Sequence, residues 1–125
     1  MKPAPPPALY KGLEEFNAGK FFECHETLEA IWLEEESELR RLYQGILQIG
    51  VGFYHTLTRR NYRGATVLLQ GGINYCRPFA PSYFGIDIAN LIAAAETALM
   101  QIEELGPQHI NEFDRSFVPR INYQA

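Results

Sequence analysis

The chain has 125 residues, a length that fits one domain and allows a core without covalent staples. Hydrophobic residues at 46% and charged residues at 21% are ordinary globular values, which excludes a chain disordered from end to end. A net charge of −4 argues against nucleic acid as a partner, because phosphate binding asks for clustered lysine and arginine.

Residues 1–7 read as an extended leader, since the prolines of "PAPPP" fix φ and remove donors. "MKPAPPPAL" lacks the apolar core of a secretory signal, and no run approaches the ~20 apolar residues of a membrane span. Pro7 suits the first turn of a helix over residues 7–18, with Leu9, Leu13 and Phe16 on its inner face. "NAG" ends it, with Gly19 as a left-handed cap. A second helix follows over residues 20–34. On the helical wheel Phe21, Cys24, Leu28, Ile31 and Trp32 form one apolar stripe. His25 falls inside its margin, Glu29 on its border and Glu26 further out, while Glu23 faces water.

"EEESE" breaks the pattern, and Ser37 is the expected N-cap of a long third helix over residues 38–59. Leu39, Leu42, Tyr43, Ile46, Ile49, Phe53, Tyr54 and Leu57 supply its apolar side. Arg41, Gln44, Gln48 and His55 share a second stripe beside Gly45 and Gly52. Each interior glycine costs about 1 kcal/mol, which makes sense where another backbone comes close. A solvent stripe would be lysine and glutamate, so this one is expected to be covered by a neighbouring helix.

Arg59, Arg60 and Arg63 form the one dense basic patch and read as a solvated helix end. Asn61 is placed to cap a fourth helix over residues 62–75, weakened in its second half by Gly71 and Gly72. "CRPFAPSYFG" reads as a loop. Asp87 then caps a fifth helix over residues 88–105, which "GP" stops. Residues 107–125 read as an irregular aromatic strap, leaving residues 8–106 as the helical domain. "FNAGKFFECHETL" and "TRRNYRGATVLL" repeat a helix, turn and helix pattern. The expected fold is therefore all-α: a single bundle of about five helices, made of two hairpins and a C-terminal helix.

Cys24 and Cys76 match neither a disulfide framework nor a zinc ribbon. They read as buried thiols in a reduced, cytoplasmic setting. Cys24 and His25 are adjacent on a helix and point about 100° apart, so they make no catalytic dyad. His109, in the segment after the fifth helix, reads as a surface residue.

His25 and Glu29, four apart, share a helical face. If the stripe of the third helix meets that face, His25, Glu26, Glu29 and Trp32 join Arg41, Gln44, Gln48 and His55 in one polar seam. One reading is a structural seam between the second and third helices, its hydrogen bonds fixing their register and Arg41 locking Glu26 or Glu29. Another is a divalent metal site. His25, Glu29 and His55 would supply two imidazoles and a carboxylate to zinc or iron, with Glu26 as base for a hydrolytic reaction. "HETLE" departs from the HExxH motif, because position 29 is glutamate where that motif needs histidine. A third reading is a small ligand or protein segment held against Trp32 and Tyr43.

The positions Asn17, Gly19, Phe21, His25, Glu26, Glu29 and Trp32, followed by Arg41, Gln44, Gly45, Gln48, His55, Asn61, Gly64 and Ala65, resemble a helical family, the domain of unknown function number 309. The resemblance runs over about residues 10–105. It implies an all-α bundle of about five helices that self-associates, and its pattern falls on the polar residues already singled out. The function expected is that of a non-enzymatic binding or assembly protein without a cofactor, forming a homo-oligomer or engaging another protein. The metal-dependent enzyme is the alternative. A surface patch of Tyr43, Tyr54, Tyr83 and Phe84 would mark the partner face.

Overall fold

A computed structural model describes residues 4–125, so the first three residues of the expected leader lie outside it. Five α-helices carry the fold: α1 (Pro7–Asn17), α2 (Phe21–Glu34), α3 (Leu39–Tyr54), α4 (Tyr62–Cys76) and α5 (Ile88–His109). A two-residue hairpin, β1 (Ser82–Tyr83) with β2 (Ile86–Asp87), joins α4 to α5. The chain is the all-α bundle expected, with α1 and α2 as one hairpin and α3 and α4 as the other.

The punctuation follows from single residues. Gly19 sits at φ 76°, the left-handed conformation that lets α1 stop and α2 start within three residues. Asn61 accepts the Gly64 amide at 3.0 Å and Asp87 accepts that of Asn90 at 3.0 Å, so both caps form where expected. Ser37 accepts the Leu39 amide at 3.2 Å, but Glu38 holds the cap position, one residue later than expected. The α-geometry of α3 ends at Tyr54, and residues 55–59 continue as a π-helical turn. The Thr56 hydroxyl donates to the Gly52 carbonyl at 2.8 Å, competing with the regular ladder at this point. Arg60, at φ 53°, reverses the chain into α4. The helix expected to stop at "GP" is interrupted there instead. Gly106 is non-helical at φ 71°, and Pro107 opens one more turn through His109.

The core forms around α3, which lies between α2 and α4, with α1 packed on α2 and α5 on α4. Gly50 lets Phe16, Phe21 and Cys24 come within 3.6–3.8 Å of the position a Cβ would take. There Phe16 meets Phe21 and Phe53 edge to face, at centroid separations of 5.2 and 6.4 Å. On the opposite side α3 and α4 meet backbone to backbone. A Cβ on Gly72 would be 2.7 Å from the Gly45 carbonyl oxygen, and one on Gly52 would be 2.7 Å from Leu69.

The C-terminal strap is tied down at both ends. Phe113 closes the aromatic cluster against Phe53 at 6.5 Å. The Asn17 side chain donates to the Ile121 carbonyl at 2.9 Å and accepts the Ile121 amide at 2.7 Å. Tyr123 then bridges to Ile86 and stacks on Tyr10, which donates to the Phe84 carbonyl.

Candidate functional site

Helical spacing and contacts place one continuous surface on the outer side of α2, α3 and α4. From α2 it takes Phe22, His25, Glu26, Glu29 and Leu33. From α3 come Gln44, Leu47, Gln48, Val51, Tyr54 and His55, and from α4 Gly64, Val67 and Gly71. Contacts fix the flanks: Phe22 meets Tyr54 at 6.3 Å, Gln48 lies against Gly71, and the His55 ring against Gly64. Leu47, Val51 and Tyr54 are half-buried, while α1 and α5 pack on other sides of α2 and α4.

The sequence-predicted residues divide over this surface. On α2, His25 Nε2 lies 3.1 Å from Glu29 Oε2, with side chains 34% and 45% exposed. Glu26 is exposed. Trp32 is half-buried, carries Arg40 over its ring at 5.1 Å, and leaves its buried Nε1 without a partner. On α3, Arg41 bonds Glu38 at 3.1 Å and rests 5.9 Å over the Tyr75 ring, rather than locking Glu26 or Glu29. Gln44 and Gln48 are half-buried.

A buried seam between α2 and α3 is therefore not what the helices build. Gln48 and His55 meet α4, because Gly64 and Gly71 lack the side chains that would hold the two helices apart there. The α2–α3 contact is instead apolar, through Gly50, Phe21 and Cys24. His25 and Glu29 satisfy each other at its open edge. The expected metal set is not assembled either: among the described residues no three His, Cys, Asp or Glu side chains converge to hold an ion. His25 and Glu29 meet, but His55 is presented to the start of α4.

His55 is the most perturbed of these residues. Its Nδ1 is buried and finds no partner. Burial, and secondarily the nearby Arg59 charge, lower its pKa from the usual histidine value, so the neutral ring is favoured. The thiols of Cys24 and Cys76 are both pushed up to about 12, by burial first and, for Cys24, by Glu15 as well. That leaves them inert core groups. His109 is exposed and pairs with Glu112.

Tyr43 corrects the expected partner patch and the proposed ligand wall. It is 1% exposed, its hydroxyl has no partner, and burial raises its pKa to about 12 with help from Glu35 and Tyr83. Tyr83 and Phe84 are half-buried and pack on each other at 4.7 Å. The large apolar side chains that do reach solvent include Phe22 at 55% and Leu33 at 65%. Their signal was present on the α2 wheel, where both fall opposite the apolar stripe, three turns apart.

These features define an all-α bundle of two hairpins and a fifth helix, with one open three-helix face. The pattern of the family described as Domain of unknown function (DUF309) matches residues 9–68 of the chain. That span runs from α1 into α4 and contains all eight predicted site residues. The chain is also similar to the uncharacterised protein YpuF of Bacillus subtilis (strain 168), with 34% identity over 102 residues. The alignment takes in 78% of this chain and 58% of YpuF, so the chain spans less than two thirds of that relative's length. No helix among the described residues is long and apolar enough to cross a membrane.

Proposed function

We propose that the protein acts by assembly, with the α2–α3–α4 face covered by the same face of a second copy. The observation that carries this reading is the pair Phe22 and Leu33, more than half exposed on one side of α2 and bordering the half-buried row Leu47, Val51 and Tyr54. His25, Glu29, Gln44, Gln48 and His55 lie between those apolar groups. In a dimer they supply the polar contacts that fix orientation, as hydrogen bonds do within mixed interfaces.

The charges favour a second copy as the occupant. Glu23 and Glu26 on α2, and Arg59, Arg60 and Arg63 at the start of α4, take part in no ion pair among the described residues. Phe22 beside Tyr54 puts the acidic group level with the C-terminal end of α3, where the arginines follow. A two-fold axis parallel to the helices lays α2 of one copy over α4 of the other at the same height, acid against base.

Sedimentation velocity over a concentration series tests the reading. The wild type is expected to dimerise, whereas Phe22→Glu with Leu33→Glu stays monomeric with an unchanged circular dichroism spectrum. A wild-type chain that remains monomeric across the series overturns the proposal.

A further inference from the structure

We propose that a cleft at the α1–α2 turn binds a small phosphate monoester. The cleft, of about 230 Å³, lies between that turn, the end of α3 and the returning C-terminal strap. Phe16, Phe21, Leu57 and Val118 supply the apolar part of its mixed lining. Its rim carries Arg115 and Arg120. A second hollow of about 240 Å³ shares Gly19, Phe21, Leu57 and Arg115 with it and adds Lys20.

Three cations thus border these two adjoining hollows, and none is engaged in an ion pair among the described residues. Carboxylates share this end of the bundle, among them Glu14 and Glu15 in the last turn of α1, Glu23 and Asp114. Glu23 is on the outer lip of the second hollow, and Asp114 is occupied in accepting the Ser116 amide at 2.9 Å. Arg59, Arg60 and Arg63 follow Leu57 and Thr58 directly in the chain. This end of the bundle therefore gathers six of the 11 lysines and arginines of a chain whose net charge is −4.

The strap makes the site preorganised. Asn17, itself a lining residue, holds Ile121 by two hydrogen bonds of 2.9 and 2.7 Å and so fixes the backbone beside Arg120. The Asp114 cap fixes the short turn Arg115–Phe117. Arginine forks suit the paired oxygens of a phosphate, and a dianion suits more than one cation. The apolar side chains Phe16, Phe21, Leu57 and Val118 give an organic body beside the phosphate something to pack on. The volume falls below the roughly 300–1,000 Å³ of sites for drug-sized ligands, so that body is small.

Isothermal titration calorimetry of the full chain at low salt, with inorganic phosphate and with phenyl phosphate, decides the matter. Phenyl phosphate is expected to bind more tightly than inorganic phosphate. Arg115→Gln with Arg120→Gln is expected to weaken it by about tenfold or more. Both arginines are exposed, so the fold should persist, and circular dichroism checks that. Arg77→Gln removes one positive charge at the far end of α4 and should leave the affinity as it is. Absence of binding by either phosphate overturns the proposal. So do equal affinity for the two, and equal loss in the Arg77 variant. Binding only to vesicles of phosphatidylserine and phosphatidylcholine would overturn it too, by showing a membrane-facing patch in place of a small-molecule site.

Discussion

A methyl group added at Gly72 would lie 2.7 Å from the carbonyl oxygen of Gly45 and 2.9 Å from the backbone nitrogen of Ile49. Neither atom can move without shifting α3. Gly72→Ala is therefore expected to cost about 1–3 kcal/mol, as overpacking of a close-packed interior does, and to lower Tm by several degrees in thermal denaturation. Its neighbour makes the contrast. A methyl at Gly71 would meet only the tip of Gln48, at 2.7 Å, and that flexible side chain can turn away. Replacing glycine by alanine there also recovers about 1 kcal/mol of helix propensity, so Gly71→Ala should be neutral or stabilising. His55 gives a residue-scale prediction about pH. Its folded pKa is lowered by burial and by Arg59, so below the ordinary value near 6.5 the unfolded chain takes up the proton first. The contribution of the neutral ring is complete above that value and is lost as pH falls through the lower, folded pKa. Melting curves recorded as pH falls below about 6.5 should show a steeper loss in wild type than in His55→Gln. Parallel curves would show that His55 does not titrate differently on folding.

At the scale of elements, the boundaries were legible where one side chain or one φ decides them. Asn61, Asp87 and Gly19 each mark a break that local chemistry dictates. What a stripe faces is a relation between two helices, and the stripe on α3 expected to meet α2 lies against α4 through Gln48 and His55. The correcting signal lay in α4. Its Gly64, Gly71 and Gly72 meet His55, Gln48 and Gly45, as small residues must where two helices touch along their backbones. The π-helical turn after Tyr54 was not legible, because it depends on how the chain reverses at Arg60 and not on any propensity of residues 55–59. The strap was expected to lie on the body, but its anchor could not be read, since Asn17 and Ile121 stand 104 residues apart. That anchor is testable. Asn17→Ala removes two half-buried hydrogen bonds, worth about 0.5–1.5 kcal/mol each. Amide exchange at Ile121 and its neighbours should quicken by roughly tenfold or more, while exchange in the α3 core stays slow. Equal quickening in both regions would mean that the strap opens only with the whole bundle.

For the whole molecule the question is which two-fold axis relates the copies. The axis parallel to the helices sets Glu23 and Glu26 against the partner's start of α4. The axis perpendicular to them, in the same plane, lays α2 on α2 and brings like charges together. The alternatives respond with opposite sign to the same change. Under the first, Glu23→Lys with Glu26→Lys faces Arg59 and Arg63 with new cations and weakens the dimer. Arg59→Glu with Arg63→Glu weakens it in the same way, and the four changes together restore it. Exposed pairs contribute about 0.2–1 kcal/mol each and occur twice in a symmetric interface, so each double variant should raise the dissociation constant by about tenfold at low salt. Raising the ionic strength should shrink that difference, because exposed charges are screened. Under the second axis the lysine variant relieves acid-on-acid repulsion and tightens the dimer, so sedimentation of that one variant separates the two arrangements.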